Sequence, residues 1–139
     1  MEGFVTSRRG ARTVALQVLY EVDSVGHPWE EVCHRCLDEK RLSPEAASFA
    51  RDLVKGVLAN RERLDDIISE FAPSWPVAQL LAVDRNLLRL AIYELTIDRA
   101  APPKVVINET VEMAKLFGSE SSFKFVNGVL GAVMRAAKL

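Results

Sequence analysis

Nowhere in the sequence do about 18 apolar residues run together, so no stretch is predicted to cross a membrane as a helix. Residues 1–20 lack the apolar core of a secretory leader and carry three arginines, which predicts a cytoplasmic protein. Glycine and proline together make up only 13 of 139 residues while 49% are hydrophobic, which excludes a linker or a disordered tail. Charge of one sign is not in excess either. Lys and Arg number 18 against 19 Asp and Glu, for a net charge of −1 and a pI near 6.1. A strongly basic nucleic-acid binder is thereby excluded, and any such binding falls to a local patch. At 139 residues the length predicts one domain, or two small halves sharing a core.

Cysteine is nearly absent. Cys33 and Cys36 form a CxxC with His34 between them, but no second pair exists to complete the four ligands of a zinc site. A redox CxxC sits at a helix start after a strand, and no strand precedes this one. The pair reads as two small hydrophobes one turn apart on a helix face. Histidine is as scarce, with His27 and His34 close together in sequence. No nucleophile elbow, P-loop or HExxH occurs. Asp65 and Asp66 are adjacent and face different ways on a helix, so they make no carboxylate dyad. These absences predict a protein that is not an enzyme and needs no metal or cofactor.

What is present is helical periodicity. Met1 to Thr6 is expected to be a flexible arm. Ser7 is an N-cap for a helix to about Asp23, with Ala11, Val14, Ala15, Val18, Leu19 and Val22 as its buried stripe. Gly26 and Pro28 separate it from a short amphipathic helix ending near Lys40. Ser43 and Pro44 are a cap and first-position pair for a long helix that Gly56 and Asn60 bend or break. After a turn at Pro73 to Pro76, a short helical turn covers Val77 to Leu81. Asp84 leads a helix apolar nearly all round, hence central. Pro102 and Pro103 open another helix, with Ile107, Val111, Ala114 and Phe117 as its stripe and Gly118 as its left-handed terminator. Ser119 then caps a last helix whose apolar face is Val126, Val129, Leu130, Val133 and Ala137. Period-2 alternation is nowhere sustained. The fold class is all-α, with about seven helices.

Three constellations stand out from that scaffold. Arg8, Arg9 and Arg12 make the first turns of the first helix locally cationic, with no acid between Glu2 and Glu21. A helix N-terminus disfavours cations, so three there point to an anionic partner, whose phosphate oxygens they would meet. Lys124, Phe125 and Asn127 put a cation, a ring and an amide within one turn, the parts that recognise unpaired RNA bases. In the same helix Gly128 and Gly131, at i and i+3, are expected to share a face where another backbone comes close. Tyr20 and Glu94 are polar groups on otherwise apolar helices, and Asp84 and Arg85 open the central one; these four are candidates for protein docking.

The run PPKVVINETVEMAKLFGSESSFKFVNGVL at 102–130 resembles the C-terminal signature of the NusB family of bacterial transcription antitermination factors. RRGARTVALQVLYEVD at 8–23 and AVDRNLLRLAIYEL at 82–95 agree, in the family's order and spacing. Thr110 stands where the family usually has a small Ala. The resemblance covers nearly the whole chain and is weakest between Ser24 and Ser43. It implies two packed three-helix bundles, here roughly 7–72 and 73–139 within a single 1–139 domain. It implies that the arginines and the Lys124 cluster together bind single-stranded boxA-like RNA. It further implies docking of NusE, a small-subunit ribosomal protein, through Tyr20, Asp84, Arg85 and Glu94. RNA polymerase in its elongation complex is then an indirect partner. A homodimer is also expected, because Leu80, Leu81 and the apolar excess from Leu87 to Leu95 exceed what one small core hides. The rival readings are a protein-only helical adaptor and a stand-alone relative of the N-terminal domain of an RNA methyltransferase. No cofactor-binding βαβ unit follows within the sequence, which ends at Leu139.

Overall fold

The computed structural model describes residues 7–139, so the arm expected at Met1 to Thr6 lies outside the described residues. Among the described residues the chain forms seven α-helices. It divides into two compact units, Met1–Leu58 and Ala59–Leu139.

The first unit is built by local signals that act as the sequence predicts. Helix α1 spans Arg8–Val25, and the Ser7 hydroxyl accepts a hydrogen bond from the Gly10 N–H at 3.2 Å. Gly26 ends α1 at φ 82°, a left-handed conformation that costs glycine nothing. Its N–H bonds the Val22 carbonyl at 3.0 Å. Ala11, Val14, Ala15, Val18 and Leu19 are buried as the periodicity requires, while Val22, expected on the same stripe, is half-buried near the helix end. Helix α2, Trp29–Lys40, packs on α1 through Val32, Cys33, Cys36 and Leu37. Both thiols are free and buried, and burial raises their pKa values above the usual thiol range. His27, its Nδ1 at 2.9 Å, and then Arg35 converge on the Glu21 carboxylate across the α1–α2 turn, and their hydrogen bonds hold that carboxyl below its ordinary pKa. Helix α3, Pro44–Ala59, starts with the Ser43 hydroxyl accepting from the Ala46 N–H at 3.2 Å.

The long helix breaks at Asn60 and not at Gly56, which stays inside α3. Helix α4, Arg61–Phe71, therefore opens the second unit. The sequence reading puts the division near 72/73; the structure puts it between Leu58 and Ala59. One cause is non-local: Asp65 of α4 is held by Arg89 of the next long helix. The second unit thus has four α-helices where three were expected.

A single 3-10 turn, Val77–Gln79, leads into α5, Ala82–Tyr93. Helix α5 packs against α4 and against the two helices that follow it, α6 (Pro103–Phe117) and α7 (Ser122–Ala136). Leu87, Leu88, Leu90, Ala91, Ile92 and Leu95 are all buried, so the apolar excess read as a surplus for self-association lies in the core; Leu81 is exposed. Beyond Tyr93 the helix widens to a π turn over Glu94–Asp98, closed by Arg99 at φ 57° with its N–H on the Glu94 carbonyl at 2.9 Å.

Four expectations about α6 and α7 are corrected. The buried stripe of α6 runs through Val106, Thr110, Met113 and Ala114, whereas Ile107 and Val111 are half-buried and Phe117 is exposed. The buried Thr110 hydroxyl is satisfied by donating to the Val106 carbonyl at 2.7 Å. Gly118 is extended, at φ −92° and ψ −171°, not left-handed. Glycine is needed there for space: a Cβ would lie 2.5 Å from the Ser122 side chain and 2.8 Å from the Ala114 carbonyl. Ser119 does not cap α7; its N–H donates to the Ser122 hydroxyl at 2.8 Å, and the helix begins at Ser122. Ala137, expected on the apolar face of α7, is exposed just past its end.

Candidate nucleic-acid and protein interfaces

In the first unit the arginines divide by environment. Arg8 and Arg9 are exposed on the first turn of α1, which holds no acid. Two cations therefore stand at the positive end of a helix dipole, against its preference. Arg12 is different, being 3% exposed and engaged within the protein. Phe49 of α3 joins Arg8 and Arg12. The Arg8 guanidinium carbon is 4.1 Å from the Phe49 ring centroid and that of Arg12 is 5.5 Å away. Phe49 itself is half-buried on α3. Tyr20 lies on the same helix as the arginines and is 44% exposed, a large ring open to solvent.

In the second unit, Lys124 and Asn127 lie about 60° apart around α7, three residues apart, while Phe125 points to a different side. Lys124 lies near Phe123, its ammonium 6.0 Å from that ring, and Lys115 approaches the same ring at 5.5 Å. Phe125 is half-buried and lines a cavity of about 360 Å³ with Trp75, Leu81, Ser121 and Asp84. Asn127 lines a separate groove of about 400 Å³ between α6 and α7, together with Lys104, Asn108 and Arg135. Gly128 and Gly131 belong to this groove, and no backbone approaches them as expected. Among the described residues, a Cβ at Gly128 meets nothing within 4 Å, and one at Gly131 meets only the Arg135 guanidinium at 3.3 Å. Each helical glycine costs roughly 1 kcal/mol against alanine, and internal packing gives no reason for it.

Of the docking candidates, the structure brings Asp84 into the cavity of Phe125. Asp84 is 6% exposed, and its Oδ1 has no hydrogen-bond partner among the described residues. A buried carboxylate oxygen left unpaired is costly, on the order of 1–3 kcal/mol, so this atom stands ready for a donor from outside. Arg85 is half-buried and faces the preceding turn, donating to the Leu80 carbonyl at 2.8 Å and the Ala78 carbonyl at 3.3 Å. Glu94 is 1% exposed at the start of the π turn and is engaged within the protein, so it offers a partner almost no surface. Trp75, 62% exposed, was passed over in the turn between Pro73 and Pro76; the cue available was an aromatic residue in a polar, proline-flanked loop. Among the described residues no group of three or more His, Cys, Asp and Glu is placed to hold a metal, and no helix is long and apolar enough to cross a membrane.

Comparison with known proteins adds lineage to this geometry. The model of the NusB family matches residues 9–135. The chain is 47% identical over 129 residues to the transcription antitermination protein NusB of Roseiflexus castenholzii, covering 91% of each chain. It is 48% identical over 131 residues to the protein of that name from Dehalococcoides mccartyi, covering 94% of this chain and 92% of the relative. The solved structure of T. maritima NusB superimposes with a TM-score of 0.86 at 35% identity, covering 93% of this chain and 91% of the other. A structure of antitermination factors NusB and NusE in complex with dsRNA matches with a TM-score of 0.86 at 34% identity, covering 93% and 96%.

Proposed function

Because the chain belongs to the NusB family, we propose that it is a non-catalytic transcription antitermination factor. It binds single-stranded boxA-type RNA together with NusE and acts in the cytoplasm on the elongating RNA polymerase. The observation that carries the RNA reading is the placement of Arg8 and Arg9, exposed on an acid-free first turn where the helix dipole disfavours them. Phosphate oxygens remove that conflict, and the ring of Phe49 orients the Arg8 guanidinium toward them.

Single-stranded RNA suits the second unit better than a duplex. A-form helices hide their base edges in a deep groove, whereas unpaired bases stack on exposed rings. Phe125 and Trp75 line one cavity and supply such rings, with Lys124 and Asn127 following on α7. NusE docks on Tyr20 of the first unit and on Asp84 of the second, where the unpaired Oδ1 accepts a donor from the partner. Arg85 fixes the turn that precedes Asp84, and Glu94 acts only through the packing beneath.

The deciding experiment titrates the full chain, with and without NusE, against boxA RNA and a scrambled control at two salt concentrations. The proposal expects sequence-dependent binding that weakens with salt and tightens with NusE. Equal affinity for boxA and the scrambled strand under all four conditions would refute it.

A further inference from the structure

The groove between α6 and α7 combines a cationic lining with helical glycines that the fold itself does not require. Among the described residues, Gly128 has no neighbour that an added Cβ would touch within 4 Å, and at Gly131 the one neighbour is the movable end of Arg135. Close packing of helices, the common reason for glycine inside one, is therefore absent at both positions. What the glycines do instead is deepen a groove of about 400 Å³. That volume falls in the range of about 300–1,000 Å³ typical of sites for small ligands.

The lining has one electrostatic sign. Lys104 on the first turn of α6 and Arg135 on the last turn of α7 bring two cations, and among the described residues no acid lines the groove. Lys104 repeats the placement of Arg8 and Arg9, a cation on a first turn that contains no acid. Between the cations lie the side-chain amides of Asn108 and Asn127, each exposed and each able to donate and accept. Ile107 and Val111, the apolar positions of α6 that are only half-buried, form part of the wall. Cations for phosphate oxygens, amides for hydroxyl groups and base edges, and a floor without side chains are the parts that a nucleotide chain needs.

We infer that this groove is a binding track for the sugar–phosphate backbone of single-stranded RNA, with Lys104 and Arg135 on phosphates and Asn108 and Asn127 on the 2′-hydroxyl or base edge. The inference rests on the RNA-binding reading above and extends it to a groove whose lining includes neither Lys124 nor Phe125. An acidic peptide would meet the same two cations but would leave the paired amides and the bare glycine floor without a use. RNA is therefore the occupant the lining favours.

The test uses the full chain with boxA RNA, and NusE present in a parallel series. In the double variant Lys104→Ala/Arg135→Ala, two lost phosphate contacts should flatten the log–log salt dependence by about 1.4, at about 0.7 per single-strand contact. The control Arg61→Ala/Arg63→Ala removes two exposed cations from α4 and should leave the slope unchanged. Gly128→Ala separates binding from folding: the melting temperature should hold or rise, because a Cβ fits and alanine favours the helix, while RNA binding weakens. Unchanged affinity and slope in all three variants, alongside a flattened slope for Arg8→Ala/Arg9→Ala, would overturn the groove and leave the RNA reading intact. Equal flattening by the groove and control pairs would overturn it as a general charge effect. Loss of NusE binding with RNA binding retained would overturn it by showing a protein site. Absence of salt-dependent RNA binding by the unaltered chain, alone and with NusE, would remove the RNA reading itself.

Discussion

The Arg8 guanidinium lies against the Phe49 ring, 4.1 Å from its centroid, and so ties the first turn of α1 to α3. A cation over an exposed ring is worth about 0.5–1 kcal/mol. Its larger effect here is to restrain a long side chain that would otherwise lose rotamer freedom only on meeting a ligand. Phe49→Leu keeps apolar packing and removes the π face. It should weaken RNA binding about 2- to 5-fold, the equivalent of that energy, with a smaller change in melting temperature. Phe49→Tyr should retain the affinity. Fluorescence anisotropy titrations on the three proteins check this, and equal affinities for all three would show that the ring does not orient Arg8.

The three arginines should separate in mutagenesis. Arg8→Ala and Arg9→Ala remove exposed cations from the wrong end of a helix, so each should leave stability nearly unchanged while flattening the salt dependence of RNA binding by about 0.7 log–log units per lost contact. Arg12→Ala should cost about 1–3 kcal/mol in stability, because that side chain is 3% exposed and engaged within the protein. Urea denaturation beside a salt series distinguishes them. A stability loss at Arg8 as large as that at Arg12 would contradict the division.

Local signals were legible in the sequence and non-local ones were not. Ser7, Gly26 and Ser43 mark helix ends because their effect is confined to one turn of backbone. Gly118 follows the same rule in composition but answers to a different need, the close approach of Ser122 four residues on. The buried stripe of α6 was misread because apolar residues fill two neighbouring stripes, through Val106 and Met113 and through Ile107 and Val111, and periodicity cannot choose between them. The π turn at Glu94–Asp98 carries no compositional mark, so it continued α5 in the sequence reading. Phe125 lies far along the chain from Trp75 and Asp84, and only the fold places it on one cavity with them.

Asp65 and Arg89 illustrate the same limit with a stability consequence. Arg89 Nε donates to Asp65 Oδ1 at 2.7 Å and Nη2 to Oδ2 at 2.9 Å, a two-pronged pair 24 residues apart. Arg89 also reaches the Asn86 amide oxygen at 3.2 Å. Its side chain is 8% exposed and that of Asp65 is 28% exposed. Asp65→Ala strands a buried guanidinium and should destabilise the second unit by about 2 kcal/mol, below the roughly 3–5 of a fully buried pair because Asp65 is partly hydrated. RNA binding well below the melting temperature should persist. A denaturation midpoint indistinguishable from that of the unaltered protein would mean that water replaces the pair without cost.

Phe125→Ala asks whether a ring serves binding or packing. Loss of a stacked base should cost roughly 1–3 kcal/mol of RNA affinity. Phe125 is half-buried, so the stability loss should fall below the about 3–5 kcal/mol of a fully buried phenylalanine. Trp75→Ala should weaken RNA binding through the same cavity with less effect on folding, since Trp75 is 62% exposed. Both quantities are measured on each variant. A large fall in melting temperature with full affinity below it would assign Phe125 to the core alone.

Asp84 provides the sharpest test of assembly with NusE. Its Oδ1 is buried and has no partner among the described residues, so a donor from NusE would gain a charge-assisted hydrogen bond without breaking one made there. Asp84→Asn keeps the shape and removes the charge. It should weaken NusE binding by about 1.5–3 kcal/mol, the usual worth of a hydrogen bond to a charged group. Asp84→Lys should weaken it further by placing a cation in the cavity. Asp84→Asn removes no cation that meets RNA, so RNA binding by the chain alone should remain nearly intact, whereas Asp84→Lys adds a cation beside Phe125 and Trp75 and should hold or raise it. If RNA and NusE reinforce each other, each raises the affinity for the other by the same factor, about 5- to 150-fold for a coupling of about 1–3 kcal/mol. At NusE concentrations that saturate the unaltered chain but not the variant, the gain in RNA affinity should shrink. It should return when NusE is raised enough to saturate the variant as well. A variant that keeps its NusE affinity but loses RNA binding when alone would place Asp84 at the RNA contact, and the partner contact would then have to be sought around Tyr20.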